Sequence, residues 1–108
     1  MSGQMTLAEL QASLSQSAPP SGVPRLVEAL WHDARGDWDQ AHEIAQSIDD
    51  REGAWVHAYL HRKEGDLSNA GYWYLRAGRQ GSDASLPDVS LEAEWKEIAE
   101  ALLGQAAG

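Results

Sequence analysis

The chain has 108 residues and carries 17 Asp and Glu against 8 Lys and Arg, a formal net charge of −9. That length suits one domain with a single core, and the acidity argues against affinity drawn from neutralising nucleic-acid phosphates. Cysteine is absent, which excludes disulfides, thiolate nucleophiles and zinc–thiolate sites together.

In chain order, Thr6 and Glu9 form a capping box that predicts a short helix with Leu7, Leu10 and Leu14 on one stripe. Pro19-Pro20-Ser21-Gly22 interrupts it. Pro24 suits the first turn of a second helix bearing Val23, Leu26, Val27, Leu30, Trp31 and Ala34. Gly36 is placed to end that helix in a left-handed cap, and Asp37 to cap a third with Trp38, Ala41, Ala45 and Ile48. Asp49-Asp50 separate this from a fourth helix over about Arg51 to Glu64. Gly65-Asp66 repeat the stop-and-cap device before a fifth helix that reaches about Arg79. A break is expected over Gly78 to Pro87, then a sixth helix from Ser90 with Leu91, Trp95, Ile98, Leu102 and Leu103, ended by Gly104 ahead of a frayed tail. No segment alternates with period two long enough for a strand. The expected class is all-α, a compact bundle of five to six helices.

Aligning Gly36 with Gly65 reveals a duplication of period 29. Gly36-Asp37-Trp38-Asp39-Gln40-Ala41 matches Gly65-Asp66-Leu67-Ser68-Asn69-Ala70, and His32 aligns with His61. Each unit reads as helix, Gly-Asp turn, helix, so stacked helical hairpins are expected. After each turn glycine come a small residue and two further helix-face residues, Ala41, Ala45 and Ile48 in one unit and Ala70, Tyr74 and Ala77 in the other. In this the chain resembles tetratricopeptide-like (TPR-like) αα repeats over about residues 23–79. Its first helices depart from that pattern. Where the family prefers Tyr, a small residue, Leu and Trp, this chain has His32, Ala29, Glu28 and Arg25, then His61, Ala58, His57 and Ala54.

The resulting division is residues 1–22 as an N-terminal helix and Pro/Ser-rich linker, 23–79 as two hairpin repeats, and 80–108 as a loop and C-terminal capping helix. Two repeats are fewer than a solenoid needs, so the outer helices are expected to cap them. The large apolar residues Leu26, Val27, Leu30, Trp55, Val56 and Tyr59 fall on the groove-lining side in the family's register and require cover, from a terminal helix or from a second copy.

Two i, i+4 polar pairs, Glu28 with His32 and His57 with His61, share the same register on the aligned first helices. They predict a polar seam in which three imidazoles and a carboxylate could bind a ligand, support acid–base chemistry or hold a metal, with His57 and His61 the metal candidates. The alternative is a structural one, in which histidine replaces the family's tyrosine, as at His32 and His61, as a half-polar residue making one hydrogen bond, and Glu28 ion-pairs with a neighbouring helix.

The second unit is locally basic, since Arg51, Arg62, Lys63, Arg76 and Arg79 outnumber Glu52, Glu64 and Asp66. With its aromatic residues it offers Trp55, Tyr59, Arg62, Lys63, Trp73 and Arg76 as contacts for a partner or an anion. The other reading is a solvated face carrying helix-pair salt bridges. Consecutive Tyr72-Trp73-Tyr74 span most of a helix circumference, so one of them must face outward. The acidic residues Glu92, Glu94, Glu97 and Glu100 read as the solvated face of the last helix.

No phosphate loop or nucleophile motif is present and no cofactor is implied. No apolar run approaches the ~20 residues of a membrane span, and the first residues lack the basic start and apolar stretch of a signal peptide. The expectation is a cytoplasmic, non-enzymatic module that binds protein or peptide or pairs with itself as a homodimer, with no nucleic-acid or membrane partner. The alternative is a small enzyme or a ligand- or metal-binding protein that uses the histidine seam.

Overall fold

The computed structural model describes residues 5–79 and 89–107. Among these residues six α-helices and no strands are found: α1 (Leu7–Ala12), α2 (Arg25–Ala34), α3 (Trp38–Gln46), α4 (Arg51–Glu64), α5 (Leu67–Ala77) and α6 (Leu91–Ala107). No helix among them is long and apolar enough to cross a membrane. The break expected over Gly78 to Pro87 lies, from residue 80 onward, outside the described residues.

The punctuation acts locally as the residue types require. Thr6 and Glu9 bond reciprocally in the capping box that starts α1. Gly36 and Gly65 adopt φ of 87° and 91°, a backbone region that costs glycine no steric penalty. In both turns the next amide donates five residues back, from Asp37 to His32 and from Asp66 to His61, which closes the helix end. The side chains of Asp37, Asp50 and Asp66 then accept from amides three residues on and start α3, α4 and α5. Gly78 repeats the left-handed stop, so α5 ends at Ala77.

Two expectations about helix ends need adjusting. Pro24 immediately precedes α2, its carbonyl accepting from the amides of Val27 and Glu28. Gly104 does not end α6, which continues to Ala107. A glycine stops a helix only where the chain turns back, whereas Gln105 and the alanines after it favour helix. Gln105 also holds the last turn to α4 through a 3.2 Å bond from Nε2 to Glu52.

Helices α2–α3 and α4–α5 form two hairpins, and α6 lies across α2 and α4. Helix α4 is the axis of the bundle, with every residue from Gly53 to His61 buried, because neighbours surround it. The apolar residues that needed cover, Leu26, Val27, Leu30, Trp55, Val56 and Tyr59, are all buried. The cover is intramolecular. Helix α6 brings Trp95 against them, its indole donating to the Leu30 carbonyl at 3.0 Å. The N-terminal segment is tied to the end of α2, where Trp31 donates to Ser13 and Arg35 to the carbonyls of Leu14 and Gln16.

The turn between α3 and α4 is unusually close. A Cβ on Gly53 would lie 2.0 Å from the Ile48 carbonyl oxygen. Only glycine permits that approach.

Candidate functional site

Two buried carboxylates organise the polar interior. Asp33, on α2, accepts from the Tyr59 hydroxyl at 3.1 Å and the Lys63 ammonium at 2.9 Å. Glu94, on α6, accepts from the Tyr74 hydroxyl at 2.6 and 2.8 Å, the Trp55 indole at 3.2 Å and Arg62 at 2.7 Å. Arg62 also donates to the Val89 carbonyl. Burial, together with Asp33 beside Tyr59 and Glu94 beside Tyr74, pushes both phenols far above their ordinary range, so they remain donors. A charge at such depth is tolerable because each carboxylate is paired and hydrogen-bonded.

These two centres occupy most of the residues expected to meet a partner or an anion. Trp55 and Tyr59 are buried, with their polar atoms bonded to Glu94 and Asp33. Arg62 and Lys63 spend their charges on the same carboxylates. Trp73 and Arg76 do reach the surface, where they line a groove of about 430 Å³ with Ile48, Asp50, Gly53 and His57. The reading of Glu94 as solvated is corrected by the fold, since Glu94 is 1% exposed while Glu92, Glu97 and Glu100 are exposed. The clue was its spacing, three residues after Leu91 and four before Ile98, inside the apolar stripe.

The histidines converge, but with one exchange of membership. His57 and His61 share a face of α4, their rings stacked at 4.8 Å. Their third partner is His42 on α3, not His32 on α2. The Nε2 atoms of His42 and His57 lie 3.0 Å apart, and ligand-capable atoms of all three imidazoles fall within 4.8 Å of one another. Glu28 instead pairs with Arg25 at 2.6 Å, and the ring of His32 sits edge-on to Trp31. Among the described residues neither belongs to a group spaced to hold a metal ion.

Antiparallel packing of α3 on α4 explains the exchange. The Trp38 indole donates to the Leu60 carbonyl at 2.9 Å, which sets Trp38 beside His61. One turn along α3, His42 then meets His57, one turn back along α4. Trp38 stacks on His42 at 4.8 Å and Trp73 stacks on His57 at 4.0 Å, so two indoles wall the cluster. His61 is held from the other side, its Nδ1 2.7 Å from Glu64 and its Nε2 3.4 Å from the Asn69 amide nitrogen. Burial lowers the His57 pKa to about 4, with His42 and His61 adding to the effect. Burial and then His61 also lower that of His42. At neutral pH His57 is therefore uncharged and has a lone pair to offer. Comparison of the chain with protein families, curated proteins and solved structures finds no match.

Proposed function

We propose that this chain is a TPR-like helical module whose function is protein binding, and that its partner is a second copy of itself. The observation that carries the reading is an exposed apolar ridge on α5. Leu67 is 54% exposed and Leu75 61%, and they flank Gly71 at i, i+4, i+8 spacing, with Tyr72 alongside at 53%. Large apolar side chains grouped on one helix face mark a contact surface. The inner face of the hairpins is already covered by α6, so the outer face of α5 is where association has most to gain.

The ridge is self-complementary. Two antiparallel α5 helices crossing at Gly71 would set Leu67 of each against Leu75 of the other. The same register puts Arg76 opposite Asp66 of the second copy. Gly71 has open space where a Cβ would stand, which allows close approach of the helices. An isologous contact of this kind closes as a two-fold dimer.

Light scattering on the full chain tests the reading. The expected particle mass is twice the 11.8 kDa of the chain. Leu75→Glu should yield monomers with unchanged helix content. A wild-type protein that stays monomeric at high micromolar concentration, or a Leu75→Glu variant that still dimerises, would refute it.

A further inference from the structure

We propose that His42, His57 and His61 form a binding site for a divalent transition-metal ion of the zinc class, with Glu64 orienting His61 from outside the coordination sphere. This site lies between α3 and α4 and does not depend on the α5 ridge. Its donor set is three imidazoles and no thiolate, since the chain has no cysteine. Imidazole suits Zn(II), Co(II), Ni(II) and Cu(II), whereas Mg(II) and Ca(II) take oxygen ligands.

The spacing fits such an ion. Two nitrogens bound tetrahedrally to zinc at ~2.05 Å stand ~3.3 Å apart. His42 and His57 hold their Nε2 atoms at 3.0 Å, and the third imidazole needs only a modest closure from within 4.8 Å. The metal would take the place of the proton now shared between those two Nε2 atoms. The supporting contacts are also of the type found around metal-bound histidines. His61 places Nδ1 2.7 Å from Glu64, which fixes the Nδ1–H tautomer and leaves Nε2 as the ligand atom, where the metal would displace the long 3.4 Å contact from the Asn69 amide nitrogen. The stacked indoles of Trp38 and Trp73 hold the other two rings in plane. Three protein ligands leave a fourth position for water or a small ligand, and one of the three, His57, also lines the surface groove with Trp73 and Arg76.

A second grouping, His61 with Glu64 and Asp66, has similar spacing. It is the weaker arrangement, because both carboxylates are exposed and Asp66 is engaged as the cap of α5.

Zinc and cobalt titration of the full-length chain, free of any added histidine tag, is the experiment. One saturable equivalent is expected, with Co(II) giving the intense visible absorption of a tetrahedral site. His42→Gln, His57→Gln and His61→Gln should each weaken zinc binding about 100-fold, and Glu64→Gln about 10-fold to 100-fold. His32→Gln and Asp66→Asn should leave affinity unchanged. Circular dichroism establishes that each variant is folded, and His42, only half-buried, is the substitution that least disturbs the core. Absence of saturable zinc uptake by the wild-type chain would overturn the proposal. So would a loss in His32→Gln equal to that in the cluster variants, or a loss in Asp66→Asn, which would move the ion to the exposed carboxylates.

Discussion

Replacing Glu94 tests whether the bundle depends on its buried carboxylate. Glu94→Ala leaves Arg62 without its carboxylate, in a site where the arginine side chain is 16% exposed, and deprives Tyr74 and Trp55 of their acceptor. Breaking a buried pair by removing one partner costs about 3–5 kcal/mol. A domain of this size has roughly 5–15 kcal/mol in total, so the variant should approach the limit of folding. At roughly 4 °C per kcal/mol, the midpoint should fall on the order of 15 °C. Glu94→Gln keeps an oxygen for Tyr74 and Trp55 but loses the ionic bond, and should cost about 2 kcal/mol. Glu97→Ala and Glu100→Ala on the same helix should stay within about 0.5 kcal/mol of wild type. Calorimetry and urea unfolding, followed by tryptophan fluorescence, compare the four variants directly. If Glu94→Ala costs no more than Glu97→Ala, the carboxylate is not buried among these donors and the docking of α6 described here is wrong.

Gly53→Ala should destabilise by about 3 kcal/mol, because its Cβ would meet the Ile48 carbonyl oxygen at 2.0 Å and the turn backbone would have to move; an unchanged urea midpoint contradicts this. Asp37→Ala and Asp66→Ala should each cost about 0.5–2 kcal/mol while the Asn variants cost little, as measured by thermal unfolding, since Asn also accepts from the capped amide. In metal-free buffer, stability should fall as pH drops below 6.5. The unfolded chain protonates His57 there, whereas the folded chain resists until about pH 4, with His42 and His61 facing the same ring. That difference is worth up to about 3 kcal/mol at pH 4. His57→Gln should flatten this part of the profile, and identical slopes in the two proteins would refute the assignment.

What was legible from sequence is what neighbours along the chain decide. A glycine with positive φ followed by a capping aspartate satisfies helix-end amides and carbonyls within a few residues, so both Gly-Asp turns and the starts at Thr6, Asp50 and Ser90 could be located from residue type alone. The requirement for cover over Leu30 and Trp55 was equally visible, because apolar area cannot be left bare. Partners across helices were not. The register of the repeat relates α2 to α4 as equivalent units, but contact depends on which helix lies alongside, and it is α3 that faces His57 and His61. His32 was therefore matched to the seam by sequence and His42 by packing, with Trp38 setting the register through its bond to Leu60. The basic residues of the second unit carry no mark of where their charges go. Only the docking of α6 brings Glu94 to Arg62, and only the packing of α4 on α2 brings Asp33 to Lys63. The sequence places a charge on one face of its helix. Its burial, and so its worth, is set by the surface another helix presents to it.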